Sequence, residues 1–175
     1  AAGALAGCGE SSGGSSGGGA GAGTEKAADA GNPEGGKDTI KIAVYSDFAG
    51  FDPYNSGMDL DKVVYSNIFD CLLRYYDGKY ENVLCKDYSI SEDGTEYTFS
   101  LKEGVKFHNG ETLTAGDVVF SMMRAKESSE MSNFTKNIVK AEAVDDLTVK
   151  IVLDQPYVPF LTAVASTVCI MNEKA

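Results

Sequence analysis

The sequence predicts an α/β protein, and residues 97–124 give the clearest reasons for that prediction. A first run alternates apolar and polar residues, the period-two pattern of a strand with one buried face. Its apolar members are Tyr97, Phe99 and Leu101. Further on, Thr114 precedes Asp117 by three residues, so hydroxyl and carboxylate can each bind a free amide at a helix start. The segment therefore predicts strand, turn, strand, turn and helix in succession.

Turn residues separate these elements. Gly104 ends the first strand, and Val105 with Phe107 predicts a short second one. The Asn109-Gly110 pair then predicts a tight turn, because both residue types tolerate a positive φ. The helix that follows has an apolar face. That face consists of Val118, Val119, Met122 and Met123.

The chain before this segment predicts a strand, a helix and a hairpin. Residues 39–45 alternate apolar and polar side chains, which predicts the first strand. A helix is then predicted to end near Tyr75, with Leu60, Val64, Ile68, Cys71 and Leu72 on one face. Asp77-Gly78 predicts a hairpin turn into residues 79–84, and Asp93-Gly94 predicts another turn before the central strand.

The chain after this segment predicts a hairpin and a helix. Residues 141–144 and 147–153 flank Asp145-Asp146, and the second run alternates strictly. The apolar stretch at residues 160–171 is shorter than the ~18 residues that a membrane span needs. It contains Thr and Ser residues and predicts a buried helix.

Composition divides the chain into a tether and a folding part. Thirteen of the 20 glycines lie within residues 1–36, where large apolar side chains are scarce. Such a segment cannot bury enough surface to offset its chain entropy. The formal net charge is -11 with no basic cluster, which argues against nucleic acid and against an anionic lipid surface as partners.

Cys8 is a candidate lipidation site. Leu5-Ala6-Gly7-Cys8 has the pattern of a bacterial lipobox, in which the cysteine is acylated and becomes the first mature residue. Residues 1–7 would then end a signal peptide, and residues 8–37 would be a lipidated cysteine with a flexible Gly/Ser linker. A cysteine placed by chance in an Ala/Gly-rich segment is the alternative.

Residues for catalysis or metal binding are scarce. The single histidine, His108, lies in a predicted turn, where a solvated side chain is usual, and no second histidine is near it. Cys71, Cys85 and Cys169 do not have zinc-site spacing, and we expect buried free thiols, two of them in apolar helical settings, with one disulfide possible outside the cell. We therefore expect no enzyme activity, no metal site and no cofactor.

Residues 97–124 also resemble the signature region of the family 5 extracellular solute-binding proteins, the oligopeptide-, dipeptide- and nickel-binding receptors of ABC importers. The shared pattern is an aromatic strand ending in Leu-Lys, then Gly-Val-Lys-Phe, an Asn-Gly turn, Leu-Thr-Ala, Asp-Val-Val-Phe-Ser and an Arg. The resemblance implies a periplasmic-binding-protein-like fold with two lobes. A generic β-β-α unit without a receptor role is the alternative.

This resemblance also implies a domain division. Residues 38–71 would start the large lobe, residues 72–155 would form a small β-rich inserted domain, and residues 156–175 would return to the large lobe. Because full-length relatives are several times longer than the ordered part of this chain, we expect an N-terminal fragment of such a receptor.

The resemblance places four ligand-binding candidates. Ser56, Gly57 and Met58 fall where the family offers backbone groups to an extended peptide, and a glycine there permits close backbone approach. An ordinary loop before a helix is the alternative. Phe134 falls where relatives place a cleft-facing residue, although a lone Phe is more often part of a core.

The resemblance implies a lipid-anchored receptor that captures short peptides or a related small solute at the outer face of the membrane or in the periplasm. It would pass them to an ABC transporter permease. A lipid-anchored module that binds another protein and has no transport ligand is the alternative function.

Overall fold

A four-stranded antiparallel sheet lies at the centre of the computed structural model, which describes residues 47–55 and 59–175. The strands are β1 (Leu73–Tyr76), β2 (Lys79–Asn82), β3 (Cys85–Ile90), β4 (Glu96–Leu101), β5 (Ile138–Asp145) and β6 (Thr148–Leu153). The helices are α1 (Asp59–Tyr65), α2 (Ala115–Glu127), α3 (Ser132–Thr135) and α4 (Phe160–Ser166). The central sheet has the order β3-β4-β6-β5, and β1 with β2 forms a separate hairpin.

The two inner strands of this sheet bury every second side chain. Phe99 of β4 lies opposite Val149 of β6, and Tyr97 lies opposite Ile151. Strand β5 pairs with the other edge of β6, so the predicted strands at residues 97–101 and 147–153 and their hairpin partner are confirmed. The strict alternation in both inner strands places one face of the sheet in the core.

Helix α2 covers that face and begins at the predicted capping box. The Asp117 amide donates to Thr114 Oγ1 over 3.4 Å, and the Thr114 amide donates to Asp117 Oδ2 over 2.9 Å. Val118, Met122 and Ala125 are buried as α2 packs on β5 and β6. The capping box is therefore confirmed, and the apolar face is confirmed in part, because Val118 and Met122 are buried whereas Val119 and Met123 are half-buried.

The hairpin of β1 and β2 turns where the sequence predicts it. Asp77 has φ 48° and Gly78 has φ 76°, the pair of positive values that a two-residue turn with right-handed strand twist requires. Helix α4 packs against β1, and the hydroxyls of Tyr80 and Thr162 form a hydrogen bond of 2.8 Å. The hairpin is thus held against α4.

The prediction that the first helix ends near Tyr75 is wrong, because α1 ends at Tyr65. Beyond it, the Ser66 hydroxyl and the Asn67 amide side chain both donate to the Val63 carbonyl, over 2.9 and 2.7 Å. Such side chains compete with the backbone for helical acceptors and favour a helix end. The chain then extends into β1, and Leu72 is fully buried.

The second strand predicted at Val105 and Phe107 is a small hairpin and not a strand of the sheet. Leu113 N donates to the Val105 carbonyl and Phe107 N to the Glu111 carbonyl, each over 2.9 Å. Its turn is the predicted one, with Gly110 at φ 88°. The segment cannot pair with β4 because β3 and β6 already occupy both edges of that strand.

The helix predicted for residues 160–171 is also shorter, because α4 ends at Ser166. Thr167, Val168 and Ile170 are β-branched, and such residues lose side-chain freedom in a helix. Cys169 therefore lies in a non-helical segment, as does Cys71. The expectation that two cysteines have helical surroundings is wrong.

Several predictions concern residues outside the described part of the chain. These are Cys8 with the linker, the strand at residues 39–45, and Ser56, Gly57 and Met58. The domain division at residues 71/72 and 155/156 stays a prediction. Within the described ranges, no helix has both the length and the apolar character needed to cross a membrane.

Candidate functional site

A cavity of about 680 Å³ opens between the loop that contains Pro53, the start of β1 and the helices α3 and α4. Apolar side chains form much of its wall, including those of Pro53, Leu73, Met131 and Phe134. Charged residues of both signs also border it, namely Lys62, Asp70, Arg74 and Glu130. Apolar walls with a few polar groups are typical of small-molecule sites. The mixed charge is compatible with a ligand that has both an ammonium and a carboxylate group.

Phe134 lies on the wall of this cavity. The residue belongs to α3, its amide donates to the Met131 carbonyl over 3.0 Å, and it is 42% exposed. A core phenylalanine would be almost fully covered, so the alternative of a core role does not describe this side chain. Its predicted contact with a ligand stays a prediction.

The loop at residues 51–55 is tied to α2 through Asp52. The Asp52 carboxylate accepts from Arg124 Nη2 over 2.5 Å and from the Tyr54 amide over 3.0 Å. The Tyr65 hydroxyl is a donor within hydrogen-bonding distance of two carbonyl oxygens. That of Gly50 is 2.9 Å away and that of Asp52 is 3.0 Å away. The loop therefore has anchors on both α1 and α2, just before Ser56.

Tyr54 is the buried centre of this loop. Its side chain is 2% exposed, its hydroxyl donates to the Cys169 carbonyl, and the Arg124 guanidinium lies 5.9 Å from its ring centroid. The Ser128 hydroxyl donates to the Tyr54 carbonyl over 2.5 Å. Burial, followed by the nearby Cys169, raises the pKa of the Tyr54 hydroxyl far above its ordinary value, so it is a neutral donor at physiological pH.

The segment after α4 is fixed to α2 by two residues of the signature region. Asp117 Oδ1 accepts from the Asn172 side chain over 3.1 Å and from the Glu173 amide over 3.0 Å. One turn later, Ser121 Oγ accepts from the Met171 amide over 2.9 Å. Asp117 thus caps α2 with one oxygen and holds the later segment with the other.

Cys71 and Cys169 form a thiol pair on the cavity wall. The backbone beside them is joined by the Ile170 amide, which donates to the Asp70 carbonyl over 2.9 Å, and each thiol shifts the pKa of the other. Donation to Cys169, together with burial, raises the pKa of Cys71 well above its ordinary value. The same hydrogen bond lowers the pKa of Cys169.

A second cavity of about 630 Å³ is lined by Phe51 and Asp52 of the loop at residues 51–55 and by His108. His108 is exposed, as the turn predicts, and its Nε2 lies 3.1 Å from the Ile68 carbonyl oxygen. This cavity contains none of the predicted ligand residues that the structure describes, so we place the candidate site at Phe134. In the described ranges, no group of three or more His, Cys, Asp or Glu residues is arranged to hold a metal ion.

The amino-acid sequence gives no direct sign that Asp52, Tyr54 or the thiol pair belongs to this site. Asp52 and Arg124 are 72 positions apart, and nothing local in either segment indicates that they meet. The only signal was indirect, since Arg124 ends the motif on which the resemblance depends and Asp52-Pro53 lies at the centre of the loop predicted for residues 46–57.

Comparison with protein families gives one match over the C-terminal part of the chain. The family model of the bacterial extracellular solute-binding proteins, family 5 Middle, matches residues 79–175. A curated relative, the glutathione-binding protein GsiB of Pectobacterium atrosepticum, is 39% identical over 143 residues, which is 79% of this chain and 28% of the relative. The chain therefore spans about a quarter of the length of the curated relatives that it matches.

Solved structures of similar proteins contain different ligands. NikZ from Campylobacter jejuni, in complex with Ni(L-His), has a TM-score of 0.68 and 30% identity, and the match covers 79% of this chain and 28% of NikZ. The periplasmic binding protein DppA from Helicobacter pylori, in complex with the peptide STSA, has a TM-score of 0.65 and 26% identity over 73% of this chain and 30% of DppA. The described part of the chain thus matches an α/β portion of the periplasmic-binding-protein fold.

Proposed function

The chain belongs to the family 5 bacterial extracellular solute-binding proteins, and on that premise we propose that it is part of a receptor that captures a short peptide for an ABC importer. The cavity beside Phe134 is the observation that carries the proposal. Pro53 also borders this cavity and lies three residues before Ser56 in the chain, so we expect the loop at Ser56 to contribute to the same ligand site.

A short peptide suits the charges and the apolar walls of this cavity. Lys62 and Arg74 offer positive charge for a carboxylate, and Asp70 and Glu130 offer negative charge for an ammonium group. GsiB is named for glutathione binding, and DppA was crystallised with the tetrapeptide STSA. Both ligands carry an ammonium group and a carboxylate group, which supports this ligand class. A complex such as Ni(L-His) is the second ligand class to test.

The loop at Ser56, Gly57 and Met58 would supply backbone contacts. An extended peptide can pair with protein amides and carbonyls as an added strand, which gives affinity without demanding particular side chains. Asp52, Tyr54 and Arg124 hold residues 51–55, so the orientation of that part of the loop is set before a ligand arrives. Binding then loses less conformational entropy.

The other wall of the cleft would lie outside these 175 residues, because the matched region is about a quarter of the relatives' length. Residues 38–71 and 156–175 would belong to the large lobe, and residues 72–155 would form the small inserted domain. Cys8 would carry the lipid anchor that keeps the receptor close to its permease at the outer face of the membrane. Two acyl chains are enough for stable anchoring.

Isothermal titration calorimetry tests the ligand class. Reduced glutathione, the peptide Ser-Thr-Ser-Ala and free glutamate as a control are titrated into the 175-residue chain and into the product of its whole reading frame. We expect the longer protein to bind one of the peptides at least ten times more tightly than glutamate, and the 175-residue chain to bind weakly. Binding of neither peptide to the longer protein would contradict the proposal and favour Ni(L-His) or a protein partner.

Metabolic labelling with palmitate tests the anchor. The wild-type protein should incorporate label and sediment with membranes, whereas Cys8→Ala should do neither. Equal labelling of both proteins would contradict lipidation at Cys8.

A further inference from the structure

Cys71 and Cys169 are held side by side by contacts that do not involve the sulfur atoms. The Ile170 amide donates to the Asp70 carbonyl, and the Tyr54 hydroxyl donates to the Cys169 carbonyl. These bonds fix the backbone on both sides of the pair. Cys71 directly follows Asp70 and Cys169 directly precedes Ile170, so the two cysteines flank this backbone hydrogen bond, and a bond between their sulfurs would need little movement of the chain.

Both thiols can also be reached from solvent. Cys71 and Cys169 are half-buried and border the cavity beside Phe134, whereas Cys85, the first residue of β3, is fully buried. Family 5 proteins are extracellular, and disulfides form and persist outside the cytoplasm. This accessible pair of neighbouring thiols is therefore in a compartment that favours its oxidation.

We infer that Cys71 and Cys169 form a disulfide when the protein meets an oxidising disulfide donor. The bond would link the segment that enters β1 to the segment that follows α4, across about 100 residues of chain. This inference rests on the thiol geometry and is independent of the proposed ligand.

The reaction is an ordinary thiol–disulfide exchange in two steps. The Cys169 thiolate attacks one sulfur of a small-molecule disulfide, which releases one thiol and leaves a mixed disulfide on Cys169. The Cys71 sulfur loses its proton to solvent, attacks the Cys169 sulfur and expels the second thiol. The two cysteines lose two electrons and two protons, and the donor becomes two thiols.

The protonation of the pair supports this order of attack. The hydrogen bond from Cys71 lowers the pKa of Cys169, so Cys169 is the first of the two to become a thiolate. Only the thiolate is nucleophilic. Cys71 keeps its proton longer and acts second, as the resolving thiol.

Peptide mapping tests the inference, because trypsin places each of the four cysteines in a different peptide. Cys71 lies in residues 63–74, Cys85 in 80–86, Cys169 in 151–174 and Cys8 in 1–26. The folded chain is equilibrated with oxidised and reduced glutathione, alkylated without reduction and digested. We expect the peptides at 63–74 and 151–174 to be recovered joined, in at least ten-fold excess over any other pair.

Two variants and a denatured sample provide controls. Cys85→Ser should keep the link, Cys169→Ser should leave Cys71 alkylated, and pairing in urea should lose its selectivity. The oxidised wild type should melt roughly 5–15 °C above the reduced protein, because a long closed loop restricts the unfolded chain. Separate alkylation of Cys71 and Cys169 in a chain that is folded by circular dichroism would overturn the inference, as would preferential pairing with Cys85.

Discussion

The guanidinium of Arg124 lies 2.5 Å from the carboxylate of Asp52, and this contact joins the end of helix α2 to the loop that precedes Ser56. The same guanidinium lies near the ring of Tyr54. One side chain of the signature region therefore fixes the loop on which the proposed ligand contacts depend.

Arg124→Ala should destabilise the folded protein by about 1 kcal/mol, because a partly exposed ion pair and a cation–π contact each contribute modestly. Arg124→Lys should recover part of this loss, since it keeps the charge but not the planar stack. Urea unfolding measures both variants. Amide hydrogen exchange at Tyr54 and Asn55 should accelerate in the alanine variant, and unchanged exchange there would contradict the role assigned to Arg124.

Asp117→Ala should lower the unfolding free energy by about 2–4 kcal/mol, which is more than we expect for Arg124→Ala. Asp117 is buried, and four hydrogen-bond donors would lose their acceptor. Thr114→Ala is the matched comparison. It removes the hydroxyl of the helix cap but leaves the Asn172 and Glu173 contacts, so we expect about 1 kcal/mol. Equal losses in the two variants, measured by urea unfolding, would show that the contacts to the later segment add no stability.

Tyr54→Phe should destabilise the protein by about 1–2 kcal/mol, because the Cys169 carbonyl would lose its buried donor. Tyr80→Phe is the control, since its bond to Thr162 is exposed and should contribute much less. Thermal or chemical unfolding of both variants makes the comparison. A larger loss in Tyr80→Phe than in Tyr54→Phe would contradict this account of the loop.

Stability should fall with rising pH between about 9 and 11 because of Cys85. Burial raises the pKa of this thiol from 9.0 to about 11, so in that range the unfolded chain has lost the proton that the folded chain keeps. The unfolded state then binds fewer protons, and the unfolding free energy decreases by up to roughly 1 kcal/mol per pH unit. Urea unfolding at several pH values should give a shallower slope for Cys85→Ala, and parallel slopes would contradict the shift.

The sequence predicted the sheet strands and α2 because their patterns are local and strong. The alternation at Tyr97, Phe99 and Leu101, the Thr114–Asp117 box and the Asp77-Gly78 turn each specify their own conformation. The lengths of α1 and α4 were wrong, since those apolar stretches fit helix periodicity but continue into extended chain.

The site was less predictable from the sequence than these elements of the fold, because the site depends on contacts between distant segments of the chain. The motif resemblance directed attention to Phe134, which does border a cavity. It could not indicate that Asp52 meets Arg124 or that the segments of Cys71 and Cys169 lie side by side, since each pair is brought together only by the packed fold.

The most direct test of a ligand site at the cavity beside Phe134 is the affinity of the Phe134→Ala variant for reduced glutathione. Calorimetry measures this affinity in the product of the whole reading frame. Val158→Ala is the control, because Val158 is 90% exposed and does not border the cavity. We predict a loss of affinity of ten-fold or more for Phe134→Ala, as expected for an aromatic contact residue, and no change for Val158→Ala. Equal affinity of both variants and the wild type would contradict a ligand site at this cavity.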